Sequence, residues 1–140
     1  MDMTPEEIAR RSADAMMPDD KAPAALGIVI DDVGPGEAAA SMVVTEAMVN
    51  GHGTCHGGYI FALADTAFAY ACNSYGQRAV AQHCSISFLK PAQIGMKLTA
   101  LARERHRAER SGIYDVTLTA DGDVIAEFRG HSRTVPGTLI

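Results

Sequence analysis

One carboxylate constrains this chain more than anything else in it. Between Ala47 and Gln77 the only Asp, Glu, Lys or Arg is Asp65. It lies in Tyr59-Ile-Phe-Ala-Leu-Ala-Asp-Thr-Ala-Phe-Ala-Tyr-Ala-Cys72, a run free of Gly and Pro. Ile60, Leu63, Ala64, Ala67, Phe68 and Ala71 recur at helical spacing, which predicts a core stripe. Phe61, Asp65, Phe68 and Cys72 form the adjacent row, so the acid falls among apolar side chains. A charge in that position is costly unless something pairs with it or uses it. Alanines from Ala62 to Ala71 let neighbouring backbone come close, so this helix is expected to be enclosed by the rest of the fold.

Composition narrows the function classes. The chain has 140 residues, most simply one domain, 1–140, with a sizeable core. A net charge of −5 argues against a general nucleic-acid binder. The polar start, Met1–Asp20, is no signal peptide. Asp65, Asn73 and the small residues speak against a membrane span in the apolar helix. Three cysteines without regular spacing fit free thiols and a reducing cytoplasm.

Thr4-Pro-Glu-Glu predicts a helix start, with a short helix to about Met16. Met17 to Pro23 reads as loop. Ala25–Val33 and Glu37–Thr45 read as strands joined by the Gly34-Pro-Gly turn. Met48–Thr54 is loop, Thr54 the expected N-cap of the long helix, and Gly76 its expected stop. Strands follow at Ala79–Leu89, Met96–His106, Ser111–Ala120 and Val124–Val135, with Asp121-Gly122 a hairpin turn. One long helix against a curved antiparallel sheet, an α+β fold, is the economical arrangement.

The loop Asn50-Gly-His-Gly-Thr-Cys-His-Gly-Gly58 runs into the helix N-terminus. Free N–H groups and the helix dipole there favour negative charge, such as a developing oxyanion. No Gly-Lys-Ser/Thr follows, so it is not a nucleotide P-loop, and it lacks the spacing of a dinucleotide fingerprint. Gly57 and Asp65 stand eight residues apart, about 12 Å along a helix. One small reacting group cannot touch both in one chain. If both act on one carbonyl, the acid comes from a second copy, and a two-fold dimer with interfacial sites follows.

The block Asn-Gly-His-x-x-Cys-His-Gly-Gly, followed by Leu-Ala-Asp-Thr-Ala-Phe-Ala-Tyr-Ala-Cys-Asn-Ser, strongly resembles the hot-dog-fold acyl-CoA thioesterases, most closely the PaaI type of phenylacetate degradation. The resemblance continues through Phe88-Leu-Lys-Pro91 to Phe128-Arg-Gly130. It implies a hot-dog fold, with dimers paired into tetramers. It implies that Asp65 is the catalytic carboxylate, either a base toward water or a nucleophile. It gives the Gly57 N–H the task of polarising the thioester carbonyl, and Asn50 and His56 that of positioning thioester or water. Gly58 and Thr66 would lie beside the substrate. No metal or bound cofactor is implied; coenzyme A enters as part of an acyl-CoA substrate, with an aryl-acetyl group the best fit.

Other residues admit plainer readings. Asn50 also suits turn chemistry and His56 a helix cap. His52, Cys55 and His56 are a poor metal set. Cys72 and Cys84 suit a core better than a nucleophile. Lys90, Arg129 and Arg133, taken to lie at strand ends, suit coenzyme A phosphates or solvated edges. Arg103 to Arg110 reads as a solvated hairpin end. Tyr59 and Phe61 suit an acyl pocket or the core. Two other functions compete: an acyl-CoA hydratase or dehydratase on the same fold, and a non-catalytic acyl-CoA sensor.

Overall fold

The computed structural model describes residues 2–140. Helix α1 (Pro5–Met16) opens with a capping box in which the Thr4 hydroxyl accepts from the Glu7 N–H. Helix α2 (Lys21–Leu26) follows. The sheet is built from β1 (Val29–Gly34), β2 (Glu37–Val43), β3 (Gln77–Phe88), β4 (Lys97–Ala108), β5 (Ser111–Ala120) and β6 (Asp123–Thr138), and the long helix α3 (Gly57–Cys72) lies across it. All pairings are antiparallel, in the order β1-β2-β4-β5-β6-β3.

The core sits between α3 and the concave face of the sheet. Leu63, Ala64, Ala67 and Ala71 are fully enclosed, as are Leu98, Ala100, Val116 and Leu118 opposite them. The alanines allow a close approach. So does Gly130, where a Cβ would lie 2.8 Å from the Phe68 ring. Phe68 in turn packs edge-on against Tyr114, with centroids 5.7 Å apart. β3 forms one rim of the sheet and is paired only with β6. No residue of β3 is fully buried, and Val80 and Phe88 are about half exposed.

The structure corrects several sequence expectations. The segment taken as loop contains α2, because Pro23 falls in the first turn and Gly27, at φ 72°, supplies the left-handed cap that ends it. β1 therefore begins at Val29 rather than Ala25. Thr54 does not cap α3. The Cys55 N–H is bound by the Ala92 carbonyl and the His56 N–H by that of Met48, so the chain stays extended through residue 56. α3 ends at Cys72, before Gly76. The Asn73 side chain donates to the carbonyls of Ala69 and Ala79 and accepts from the Ala79 N–H, which turns the chain toward β3. Arg129 and Arg133 stand inside β6, not at a strand end, because β6 runs on to Thr138.

Candidate active site

The loop before α3 is a folded device. The Asn50 Oδ1 accepts from the His52 N–H (2.9 Å), the Thr54 N–H (3.2 Å) and the Thr54 hydroxyl (3.2 Å). Two backbone donors on one atom fix which end of the amide is oxygen. The Asn50 Nδ2 therefore points away from the loop's own hydrogen bonds, and among the described residues it donates to none. The turn reading of Asn50 is thus correct for one end of the side chain and leaves the other end available.

His56 is the N-cap of α3. Its Nδ1 accepts from the Gly58 N–H at 3.4 Å. With Nδ1 accepting, Nε2 is the ring's donor, on an exposed side chain. The Tyr59 N–H is bound by the His56 carbonyl at 3.0 Å. That leaves the Gly57 N–H with no acceptor among the described residues, at the positive end of a helix of 16 residues. A Cβ at Gly57 would meet the Phe88 ring at 2.8 Å, so a larger residue there needs that ring to move. At Gly58 a Cβ would meet only the His56 Nδ1, at 3.8 Å.

Asp65 is half-buried two turns further along the same helix. Among the described residues no hydrogen-bond donor or cation engages its carboxylate. Burial raises its carboxyl above the ordinary carboxylate range, and the nearby charge of Asp20 raises it further. Asp20 caps the approach to α2 and carried no signal in the sequence beyond its place between Pro18 and Pro23. Thr66, next to Asp65, donates its hydroxyl to the Ala62 carbonyl at 2.7 Å, so only its lone pairs remain for another partner. The Cys72 thiol is pushed up to about 12 by burial and then by Asp65, and Cys84 is raised for the same reasons. Both stay protonated at neutral pH and make poor nucleophiles.

The single chain brings Asn50, His56, Gly57 and Gly58 together at one end of α3, with Asp65 and Thr66 about 12 Å along it. Lys90 and Arg129 already have partners within the chain. Lys90 Nζ lies 3.3 Å from Asp123. Arg129 makes a two-pronged bond to Asp115 at 2.6 and 2.9 Å, which holds the Asp115 carboxyl below its usual range. Tyr59 and Phe61 pack against the core, Phe61 edge-on to Phe128 with centroids 5.4 Å apart. Among the described residues no three His, Cys, Asp or Glu side chains converge on a point that could hold a metal.

Residues 52–127 match the family model of the thioesterase superfamily. The chain belongs to that superfamily. It is 47% identical over 132 residues to the acyl-coenzyme A thioesterase PaaI of Escherichia coli, a match covering 94% of each chain. The solved structure of E. coli PaaI, from the phenylacetic acid degradation operon, superposes with a TM-score of 0.94 at 46% identity, over 96% of this chain and 99% of that one. A variant of phenylacetic acid degradation protein PaaI from Thermus thermophilus gives a TM-score of 0.81 at 35% identity, over 83% of this chain and all (100%) of that one. A Streptococcus mutans protein solved with acetyl-CoA gives 0.71 at 28% identity, over 74% of this chain and 85% of that one. This superfamily member thus has the hot-dog fold: a long helix against a curved six-stranded antiparallel sheet, with a short N-terminal helix in front. No helix among its described residues is long and apolar enough to cross a membrane.

Proposed function

We propose that this chain hydrolyses an aryl-acetyl or related medium-chain acyl-CoA to the free acid and coenzyme A, with Asp65 as the catalytic carboxylate. The coarser activity, acyl-CoA thioester hydrolysis of the PaaI type, follows from superfamily membership and 47% identity to a PaaI thioesterase over almost the whole chain. The observation that carries the finer reading is Asp65 itself. Among the described residues it is an unpaired, half-buried carboxylate of raised basicity, on the same helix as an unused N–H at Gly57.

In the proposed site the thioester carbonyl oxygen lies against the Gly57 N–H, where the helix dipole stabilises charge as the carbonyl carbon becomes tetrahedral. The Asn50 Nδ2 and the His56 Nε2–H are the two further donors at that end of the helix. The Asp65 carboxylate takes the proton of an attacking water, or attacks the carbon itself. Collapse breaks the carbon–sulfur bond, and the departing thiolate takes up a proton as coenzyme A; where Asp65 attacked, this leaves a mixed anhydride that a water then hydrolyses to the free acid and the regenerated carboxylate. Desolvation suits either role, because it keeps the carboxylate basic. The reading needs no metal or resident cofactor; coenzyme A belongs to the substrate.

Because Gly57 and Asp65 are about 12 Å apart on one straight helix, the acid acting on a given carbonyl comes from a second copy. Two α3 helices antiparallel about a two-fold axis bring each Gly57 near the other's Asp65. The free rim of β3, unpaired and half exposed, is the surface such a partner would extend. Pairing of dimers into tetramers, and a cytoplasmic location in keeping with three free cysteines, complete the reading.

Thiol release from phenylacetyl-CoA tests it. Wild-type turnover with Asp65→Asn inactive supports the reading; a folded Asp65→Asn that turns over at the wild-type rate refutes it. A single turnover in oxygen-18 water tests for attack by Asp65 on carbon. Label appears in the Asp65 carboxylate only if that carboxylate attacked carbon.

A further inference from the structure

We propose that His83 and His131 form a site for a divalent transition metal on the outer face of the sheet, away from the catalytic end of α3. The class is the one imidazole favours, namely zinc, nickel or copper(II), and not magnesium or calcium.

The two histidines are placed by backbone pairing. On β3 and β6, Ala81 pairs with Ser132 and His83 with His131. The step skips Gln82, so β3 carries a bulge there, and the bulge sets His83 directly opposite His131. On β6 the alternation is clear. Phe128, Gly130 and Ser132 are buried toward α3, while Arg129, His131 and Arg133 point outward. Both imidazoles thus stand on the outer face, His83 exposed and His131 half-buried, and no hydrogen bond among the described residues engages either ring.

Their spacing matches shared coordination. A metal sits about 2.0–2.1 Å from an imidazole nitrogen, hence about 3.2 Å from the ring centre, and a tetrahedral angle between two such ligands separates the ring centres by about 5.2 Å. The observed centroids are 5.5 Å apart with planes inclined at 73°. The pair meets edge to face, so shared coordination requires the rings to turn until each presents a nitrogen to the ion; the backbone register has already brought them together.

The surroundings tolerate a cation. Arg129, next but one to His131, is neutralised by its two-pronged bond to Asp115. Arg133, on the other side, is exposed, so water and salt screen it. A second skip, at Arg105, puts His106 opposite Ile113, which itself pairs with His131. His106 is therefore in the same cross-sheet row but two strands away, about 9.6 Å, too far to share the ion. Water would fill the remaining positions. A bound ion would add a side-chain link across the β3–β6 ladder.

Titration of the full-length protein with zinc chloride by calorimetry, with magnesium as the comparison ion, tests the site. Expected is one zinc per chain and no magnesium heat. His83→Asn and His131→Asn should each weaken zinc at least about tenfold, while His106→Asn, and His52→Asn in the loop before α3, leave it unchanged. As a second readout, zinc should slow amide exchange along β3 in the wild type and not in His131→Asn. Zinc binding that survives both variants, or that is lost with His52→Asn instead, overturns the proposal, as does no zinc binding at millimolar concentration.

Discussion

Among the described residues the Gly57 N–H and the Asp65 carboxylate are both without a partner, and both lie on one unbroken helix, eight residues apart. Neither can satisfy the other within the chain. On the proposed reading, this donor and this acid, about 12 Å apart, each belong to a half-site that a second copy completes.

The half-site makes complementation quantitative. Asp65→Asn and Asn50→Ala should each be inactive alone. Unfolded together at equal amounts and refolded, they should regain about one quarter of wild-type activity, since half of randomly formed two-fold dimers are mixed and each mixed dimer holds one intact site. No recovery, with mixed dimers demonstrated by mass spectrometry, would place all the catalytic groups of a site in one chain.

Asp65→Asn should lower kcat by about 10²–10⁴ without weakening the fold. A carboxyl raised in the folded state binds its proton more tightly there than in the unfolded chain. Its stabilising effect is full below the unfolded value and is lost as pH rises through the folded one. Ionised Asp65 thus weakens the fold at neutral pH. Asp65→Asn should resist denaturant better than wild type at pH 7, with the advantage shrinking toward pH 4. A variant less stable at every pH would show that Asp65 holds structure.

Asp20 adds its charge to the burial that raises Asp65. Asp20→Asn removes the repulsion and should let Asp65 ionise more readily. The acidic limb of the kcat/KM profile should move to lower pH, with the plateau little changed. A limb that stays in place means that the charge of Asp20 is screened in the assembled enzyme.

His56 both caps α3 and presents its Nε2 donor, and substitutions can separate the two. His56→Ala should cost about 1 kcal/mol of stability through the lost cap. His56→Asn keeps a good N-cap and should regain most of that stability. Activity that returns along with stability would reduce His56 to a cap; activity that stays low would assign the ring a part in positioning.

Gly57→Ala should push the Phe88 ring aside, because the new Cβ would stand 2.8 Å from it. Phe88 is 53% exposed, so the ring has room and the stability cost should be only about 1 kcal/mol. Activity should fall further, because the new methyl group and the displaced ring both crowd residue 57, whose N–H the proposed mechanism uses. Phe88→Ala in the same chain should restore stability, as thermal melts would show.

Much of this was legible in the sequence, for identifiable reasons. The α3 stripe follows from a strict helical period, and every predicted stripe residue from Ile60 to Ala71 is buried. β5 was placed to the residue because its alternation is regular and turns bound it on both sides. What misled was capping and pairing. Thr54 is a better cap by residue type than His56, but its backbone neighbours were already bound to residues 48 and 92, which no local pattern reports. α2 hid behind Pro23 and betrayed itself only through Gly27. In the site, the isolation of Asp65 could be read directly as an absence of charge for many residues on either side. The commitment of one end of Asn50 could not, since it depends on the loop closing on itself. Nor could the partners of Lys90 and Arg129, because Asp123 and Asp115 reach them through strand register.

The amide of Asn50 shows how narrow the route of variation is at this loop. Its oxygen shapes the turn, and its nitrogen is what, on the proposed reading, the turn offers to a ligand. An aspartate would keep the shape and forfeit the offer, while a serine or alanine would forfeit both. A lineage drifting at this position therefore passes first through a well-folded, chemically altered protein rather than a misfolded one. New specificity, or a turn toward binding without hydrolysis, would find its easiest starting point there.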